Sequence, residues 1–188
     1  FKQKTAYESS LGLVGSEMCI RDRGGVTDVI IGGIVREPVT IMKTAQAIGY
    51  IAQFYGLGPT VDPRVGLLAG DAGEGFTSVY WAYHPDSDES GPTLYRELCE
   101  KNNVPEKMRG LYHYYGFATA HILVEGLRKA GKYPTRERLI RSLESIKNWE
   151  SGVFPTITYS RNDHAGVESV ILLQLQGGKQ IAITGWLD

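Results

Sequence analysis

The sequence predicts an α/β fold in which the chain leaves a small sheet and later returns to it. Two short runs of strand-forming residues, 28–31 and 53–55, flank a helical segment, and a unit of this length builds a parallel sheet. Three helices then follow one another directly, and the last strands come after them. A single doubly wound domain would keep alternating strands and helices, so this order indicates a return of the chain to an earlier layer.

The first helix is predicted between Pro38, which fits a first helical turn, and Gly49, which can end the helix. A loop over 56–63 follows the second strand. A third strand over 76–83 follows the glycine-rich acidic loop 70–75. The predicted apolar face of the helix consists of Ile41, Met42, Ala45 and Ile48.

The second half begins with the polar segment 84–91, which indicates a boundary between sheet and helices. Helices are predicted over 92–102, from Tyr112 to Ala130, and after an N-cap at Thr135. The predicted buried faces of the second and third of these helices are Phe117, Ala120, Val124 and Leu127, and Leu139, Leu143 and Ile146. The remaining predicted strands are 157–159, 169–176 and 180–186.

The composition is that of an ordinary globular protein: 188 residues, 42% hydrophobic and 22% charged, with a net charge of −1. This charge gives no reason to expect nucleic acid or an anionic membrane as a partner. No apolar run is long enough to span a bilayer. Cys19 and Cys99 have no metal-ligand spacing; they can pair in an oxidising compartment, but two unrelated thiols are the favoured interpretation.

Residues 1–23, FKQKTAYESSLGLVGSEMCIRDR, have no clean apolar period and no signal-peptide pattern. They resemble translated sequencing-adapter DNA, and we interpret them as a non-native leader. A genuine amphipathic leader is the alternative. If the segment is an artefact, the native N-terminal portion and any export signal are missing, and Cys19 drops out.

Few residues fit a catalytic pattern. The loop GDAGEG at 70–75 lacks the phosphate-loop signature and precedes a strand, where a phosphate loop opens a helix. Its carboxylates, Asp71 and Glu74, are more simply solvated or bound to backbone N–H groups than an acid–base pair. The four histidines have no metal spacing; His121 is interpreted as a hydrogen-bonded helix residue and His164 as locally bonded in a turn. We therefore predict no catalytic residue, no metal and no cofactor.

The cluster Leu111-Tyr112-His113-Tyr114-Tyr115 concentrates aromatic rings with polar tips at the start of the long helix. Such rings suit a small-molecule cleft, and they equally suit helix packing, so both interpretations stay open.

Four stretches, TDVIIGG, LLAGDAGEG, AGKYPTRERLIRSLESI and TYSRNDHAG, occur in this order within 27–186. Together they resemble the periplasmic solute-binding proteins of the branched-chain amino-acid type, which serve ABC importers. The resemblance implies a two-lobed type I periplasmic-binding-protein architecture, incomplete because most of the first lobe is missing. It assigns 24–83 to the second lobe, 84–171 to helices that return to the first lobe, and 172–188 to strands that re-enter the second.

The resemblance also implies ligand-binding positions. Tyr112 falls where an aromatic residue of the first lobe covers the ligand, and Ile34 falls where a tyrosine follows paired glycines. Gly58 falls where an acid binds the α-ammonium of an amino acid, and Asp62 lies four residues further on. Burying an ammonium group without a counter-ion costs roughly several kcal/mol. We therefore expect the ligand to be a carboxylate, an aromatic acid or an amide at least as readily as an α-amino acid.

The resemblance implies a solute-binding component of an ABC importer that closes by a hinge, performs no chemistry and acts as a monomer. Its partners would be a small solute and the membrane subunits of an ABC permease, with no nucleic acid. Its location would be periplasmic, or extracellular with a lipid anchor. The alternatives are a ligand-sensing receptor domain or cytosolic amide regulator of the same fold, and an α/β enzyme using Asp71 or Glu74.

Overall fold

The computed structural model describes residues 25–188. The predicted leader at 1–23 and Cys19 lie outside the described residues. The described chain forms two compact units, 25–79 with Leu172–Ile183, and Tyr80–Ile171 with Thr184–Asp188. The assignment of particular stretches to the two lobes of the family stays a prediction.

A five-stranded sheet runs in the order β1-β2-β3-β4-β5. The β1/β2 pair is parallel, as the strand–helix–strand pattern predicted, and β2/β3 is parallel as well. Strands β4 and β5 form an antiparallel hairpin. Gly177 and Gly178, with φ of 56° and 79°, make the hairpin turn, where side chains would be strained. The strands are β1 (Asp28–Ile31), β2 (Gln53–Gly56), β3 (Thr77–Tyr80), β4 (Ile171–Gln176) and β5 (Lys179–Ala182).

Helix α1 (Arg36–Ala47) follows β1, as predicted, and buries Pro38, Met42 and Ala45. The placement of Ile48 on its buried face is wrong, because the helix ends at Ala47 and the Ile48 side chain is 49% exposed. Beyond the last helical residue the 3.6-residue period no longer governs which way a side chain points.

Helix α2 (Pro63–Ala69) and 3₁₀ turns at Gly58–Val61 and Gly70–Gly73 occupy the region after β2. The predicted loop over 56–63 contains the first of these turns and ends where α2 begins, whereas α2 itself was not predicted. The core of this unit consists of Val29, Ile31, Met42, Ala45, Tyr50, Val65, Ala69, Phe76 and Leu175.

The second unit contains α3 (Ser90–Lys101), a 3₁₀ turn (Glu106–Met108), α4 (Leu111–Ala130) and α5 (Arg136–Glu144). The predicted cap at Thr135 is confirmed, since its side chain accepts from the Arg138 N–H at 3.3 Å. The predicted buried face of α4 is wrong, because Val124 and Leu127 are 44% and 38% exposed. The residues of α4 that are buried are Leu111, Tyr114, Ala118 and Gly126.

The structure shortens four predicted strands. The segment 76–83 is a strand only over Thr77–Tyr80. The segment 157–159 is only an isolated bridge between Trp149 and Ile157. The segment 169–176 begins as a strand at Ile171, and the segment 180–186 ends as a strand at Ala182. Within residues 25–188, none of the helices has the length and apolar content needed to cross a membrane.

Candidate functional site

Two of the predicted ligand-binding positions lie at one edge of the sheet. Ile34 comes three residues after β1 and Gly58 two residues after β2, and the last residues of these parallel strands, Ile31 and Gly56, are paired. The carboxyl ends of parallel strands are where open α/β sheets bind ligands. The fold therefore gives Ile34 and Gly58 positions that suit a binding edge.

Ile34 is held by its backbone and leaves its side chain 46% exposed. Its N–H donates to the Glu37 carboxylate at 3.1 Å, which ties the β1–α1 turn to the first turn of α1. This hydrogen bond is the main cause that lowers the pKa of Glu37, so the carboxylate is charged at neutral pH. Ile34 itself offers a ligand apolar contact only.

Gly58 is buried at the start of a 3₁₀ turn and supplies no side chain. The turn is fixed by Thr60, whose hydroxyl donates to the Leu57 carbonyl at 2.6 Å and lies 2.7 Å from the Ser78 hydroxyl. A Cβ at Gly56 would collide with the Thr60 and Ser78 hydroxyls, so β2 must end in glycine for the turn to pack this closely. The acid that the resemblance implies at position 58 is absent, because Gly58 has no side chain.

Asp62 is fully buried and acts as the N-cap of α2. One carboxylate oxygen accepts from the Arg64 N–H at 2.9 Å and from its Nε at 2.8 Å, and the other accepts from its guanidinium NH2 group at 2.8 Å. Proline at the first helical position and an acid before it are a helix-start signal that was present in the sequence. The role of Asp62 in ligand binding stays a prediction, while its structural role is visible.

The second unit carries an aromatic surface formed by Trp81, Tyr112 and Tyr115. Trp81 stacks on Tyr115 with ring centroids 5.9 Å apart and planes 18° apart, and Tyr112 stands at 88° to Tyr115 at 6.0 Å. Trp81 is 36% and Tyr112 49% exposed. Buried Tyr80 packs against two of them, with its ring centroid 5.7 Å from that of Trp81 and 6.3 Å from that of Tyr115. Burial raises the pKa of Tyr80 far above its ordinary value.

The aromatic cluster of the sequence thus divides between core and surface. Tyr114 is fully buried and packs edge-on against Tyr95 at 5.0 Å, whereas Tyr112 faces solvent. Sequence reasoning missed Trp81, which lies about thirty residues earlier and directly after β3. Its only signal in the sequence was the aromatic pair Tyr80-Trp81. The predicted strand ran to residue 83, and only the structure shows that it ends at Tyr80, just before Trp81.

The histidines have structural partners. The His113 Nδ1 lies 2.9 Å from the Tyr95 hydroxyl, and His121 stacks between Phe117 and Trp149 at 5.8 and 5.5 Å. His121 is therefore a stacked residue, where hydrogen bonding was expected. His164 was expected to bond within its turn, but its Nε2 lies 3.3 Å from a Glu144 carboxylate oxygen, twenty residues away.

Two of the remaining candidate groups also have a visible structural setting. The Glu74 carboxylate accepts from the Gly177 N–H at 3.0 Å, a backbone bond of the kind the sequence suggested. Cys99 is a buried free thiol. In the described part of the chain, no group of three or more His, Cys, Asp or Glu side chains is placed to hold a metal ion.

Comparison with known proteins identifies relatives over most of the chain. A family model described as periplasmic binding protein matches residues 23–180. A branched-chain amino-acid ABC transporter from Thermus thermophilus with bound valine is 25% identical, with a TM-score of 0.84 over 92% of this chain and 49% of that one. An ABC-transporter substrate-binding protein from Aeropyrum pernix is 19% identical, with a TM-score of 0.77 over 95% of this chain and 48% of that one.

A leucine-binding protein from Thermotoga maritima is 17% identical, with a TM-score of 0.70 over 90% of this chain and 47% of that one. The chain thus spans about half the length of the solved structures it matches. The predicted α/β fold of the type I periplasmic binding proteins, in incomplete form, is confirmed, and so is the resemblance to the branched-chain amino-acid type. With the family model matched over 23–180 and the same fold shared with these structures, this chain belongs to the periplasmic binding protein family.

Proposed function

We propose that this chain is part of the solute-binding component of an ABC importer, which captures a small solute between two lobes by hinge closure and performs no chemistry. The match to the periplasmic binding protein family over 23–180 supports a solute-binding role. Membership of that family also supports a periplasmic location and a permease as partner. The proposed sequence of events is solute capture, closure, and delivery to the membrane subunits.

The observation that carries the proposal is the aromatic surface of Trp81, Tyr112 and Tyr115. The Trp81 and Tyr115 rings are stacked nearly parallel, and the Tyr112 ring stands almost perpendicular to that of Tyr115, so a ligand could contact ring surfaces in two orientations. Rings held by other rings lose little entropy when a ligand packs on them, and each such contact is worth about 1 kcal/mol. This geometry suits a solute with an apolar or planar group.

The charges at the sheet edge limit the class of solute. The position that would supply an acid for an α-ammonium is Gly58, which has no side chain, and the nearby Asp62 carboxylate accepts three hydrogen bonds from Arg64. An ammonium placed there would lose its hydration without gaining a dedicated counter-ion. We therefore propose a branched or aromatic carboxylate, or an amide, as the solute class.

The test compares amino acids with their deaminated analogues, using the complete protein. Valine and leucine are titrated beside isovalerate, 4-methylpentanoate, phenylacetate and the corresponding amides, by calorimetry and thermal shift. We expect the deaminated acids or amides to bind at least as tightly as the amino acids. A ligand at a hundred times its Kd raises stability by about 2.7 kcal/mol, which a thermal shift detects readily.

Variants connect binding to the aromatic surface. Tyr112→Ala should weaken solute binding about fivefold, the equivalent of about 1 kcal/mol, because it removes an exposed aromatic ring on which the solute would pack. Tyr133→Ala removes a 71% exposed tyrosine of the same unit and should leave the affinity unchanged. Small-angle scattering should show a smaller radius of gyration when the solute is added, if closure accompanies binding.

Three results would contradict parts of the proposal. No stabilisation by any amino acid, acid or amide would oppose solute binding as such. Valine binding more than about tenfold tighter than isovalerate would leave the role intact but refute the charge argument, since tenfold equals about 1.4 kcal/mol. An unchanged scattering curve with saturating solute would refute hinge closure.

A further inference from the structure

The cations of this chain are strongly concentrated. Residues 128–141, here called the basic turn, hold six of the chain's 20 lysines and arginines and one carboxylate, although the whole chain has a net charge of −1. All six cationic side chains are exposed. The chain is therefore nearly neutral overall but has one strongly positive surface, and local charge of this kind governs association with charged partners.

The basic turn joins two helices of the second unit. Its cations come from the last turn of α4, from the connection, and from the first two turns of α5. Four of the six cations line an open groove together with Ser142 and Ser145. The cations of this groove are Lys129, Lys132, Arg138 and Arg141.

Few carboxylates offset this charge. Arg128 forms an ion pair with Glu125 at 3.8 Å. The pKa of Glu137 is lowered mainly by hydrogen bonds from its own backbone and from the Thr135 side chain, and to a smaller extent by the positive charge of Arg141. In the described part of the chain, Lys129 and Lys132 form no ion pair. These two ammonium groups are available to an external anion.

An aromatic ring lies in the middle of the charges. Tyr133 is 71% exposed, and the Lys132 ammonium lies 5.5 Å from its ring centroid. Tyrosine is enriched at protein–protein interfaces, but lysine is depleted there, so a tyrosine set among lysines is not typical of a protein contact. A protruding tyrosine beside lysines instead resembles the residues that lie at the headgroup level of a bilayer, with the ring among the lipids and the hydroxyl in water.

From this arrangement we propose that the basic turn docks the protein on a membrane surface rich in anionic phospholipid. Lys129 and Lys132 would approach the headgroup phosphates, and Tyr133 would enter the interface between them. Such docking would keep a solute-binding protein near the membrane. It does not depend on which solute is bound, and it would hold even if the proposed transport role were wrong.

The test measures binding of the complete protein to vesicles by flotation. One vesicle is pure phosphatidylcholine and the other contains about a third phosphatidylglycerol, which gives it the negative surface potential that attracts basic segments. We expect binding to the second vesicle only. Binding should be lost as the salt concentration approaches about 1 M, where the Debye length falls to about 3 Å.

A matched pair of double variants separates local from overall charge. K129Q/K132Q removes two cations of the basic turn and should weaken vesicle binding about 30-fold, the equivalent of about 2 kcal/mol. K101Q/K107Q removes two exposed lysines from elsewhere in the same unit and should leave binding within about twofold, since these charges lie outside the docking surface. Tyr133→Ser should weaken binding further without changing its dependence on salt.

Two outcomes would overturn the proposal. Equal losses in K129Q/K132Q and K101Q/K107Q would mean that net charge, and not this surface, governs binding. Binding to soluble polyglutamate with no binding to anionic vesicles would assign the surface to an acidic protein partner. Solute titrations on the same variants keep this result distinct from the solute-binding proposal, because K129Q/K132Q should bind solute normally.

Discussion

Asp62 offers a test between a structural and a ligand-binding role. Its buried carboxylate caps α2 and accepts three hydrogen bonds from Arg64, two of them from the guanidinium. We consider Asp62→Ala, which removes all of these acceptors, beside Asp62→Asn, which keeps an oxygen able to cap the helix.

The expected costs follow from the geometry. Loss of the N-cap costs about 1 kcal/mol. Loss of the ion pair costs only about 0.5 kcal/mol, because the Arg64 side chain is 56% exposed and its charge can return to water. Asp62→Ala should therefore lower the free energy of unfolding by about 1.5 kcal/mol, and Asp62→Asn by about 0.5 kcal/mol.

The assay is urea unfolding without solute, supported by thermal melts. A loss of about 1.5 kcal/mol corresponds to about 3–6 °C for a chain of this size. Arg64→Gln should cost more than Asp62→Asn, because it leaves the fully buried Asp62 carboxylate charged without its guanidinium partner. It should add little to Asp62→Asn, in which that charge is already gone. The reasoning is refuted if Asp62→Ala unfolds like the unaltered protein, and a loss of solute binding in that same variant would identify Asp62 as a ligand-binding residue.

Two further predictions concern packing and pH. Gly66→Ala should destabilise by about 1–3 kcal/mol in urea unfolding, because its Cβ would collide with the backbone carbonyl of Gly178. The matched change Gly116→Ala lies in a helix, where an added Cβ has no atom within 4 Å, so it should stabilise the folded state by up to about 1 kcal/mol through better helix propensity. Similar changes in stability at both sites would refute the packing argument. The pKa of Glu37 in the folded protein is lowered from 4.5, mainly because its carboxylate accepts a hydrogen bond from the Ile34 N–H. The charged carboxylate therefore stabilises the folded state at pH values above 4.5, and this stabilisation is lost as the pH falls through the lowered pKa. Glu37→Gln should therefore melt below the unaltered protein at pH 7 and converge with it in acid, and a pH-independent difference in melting temperature would contradict this.

The features that were predicted well depend on residues close together in the chain. The run at 28–31 is β1, and the Thr135 cap begins the last helix as expected. Both result from side-chain and backbone preferences within a few residues, so no partner from elsewhere is needed. Helix α2 was overlooked although its signal, Asp62-Pro63, was equally local.

The features that were predicted wrongly depend on packing partners. Two positions of α4, Tyr114 and Ala118, are buried because they pack with Tyr95 and Cys99 of α3, whereas apolar Val124 is 44% exposed. The hydropathy pattern of a single helix predicts that it has an apolar face, but the packing of a neighbouring helix determines which residues become buried.

The candidate site divides in the same way. Motif order and local chemistry along the chain were enough to identify the family and the α/β fold, and they marked Gly58 as a position without the expected acid. Only the tertiary structure decided that Tyr114 is core while Tyr112 is exposed, that Trp81 joins Tyr115, and that the Asp62 carboxylate accepts from Arg64. The physical reason is that strand and helix signals arise from neighbours in sequence, whereas burial and ring stacking are set by residues that meet only after the chain has folded.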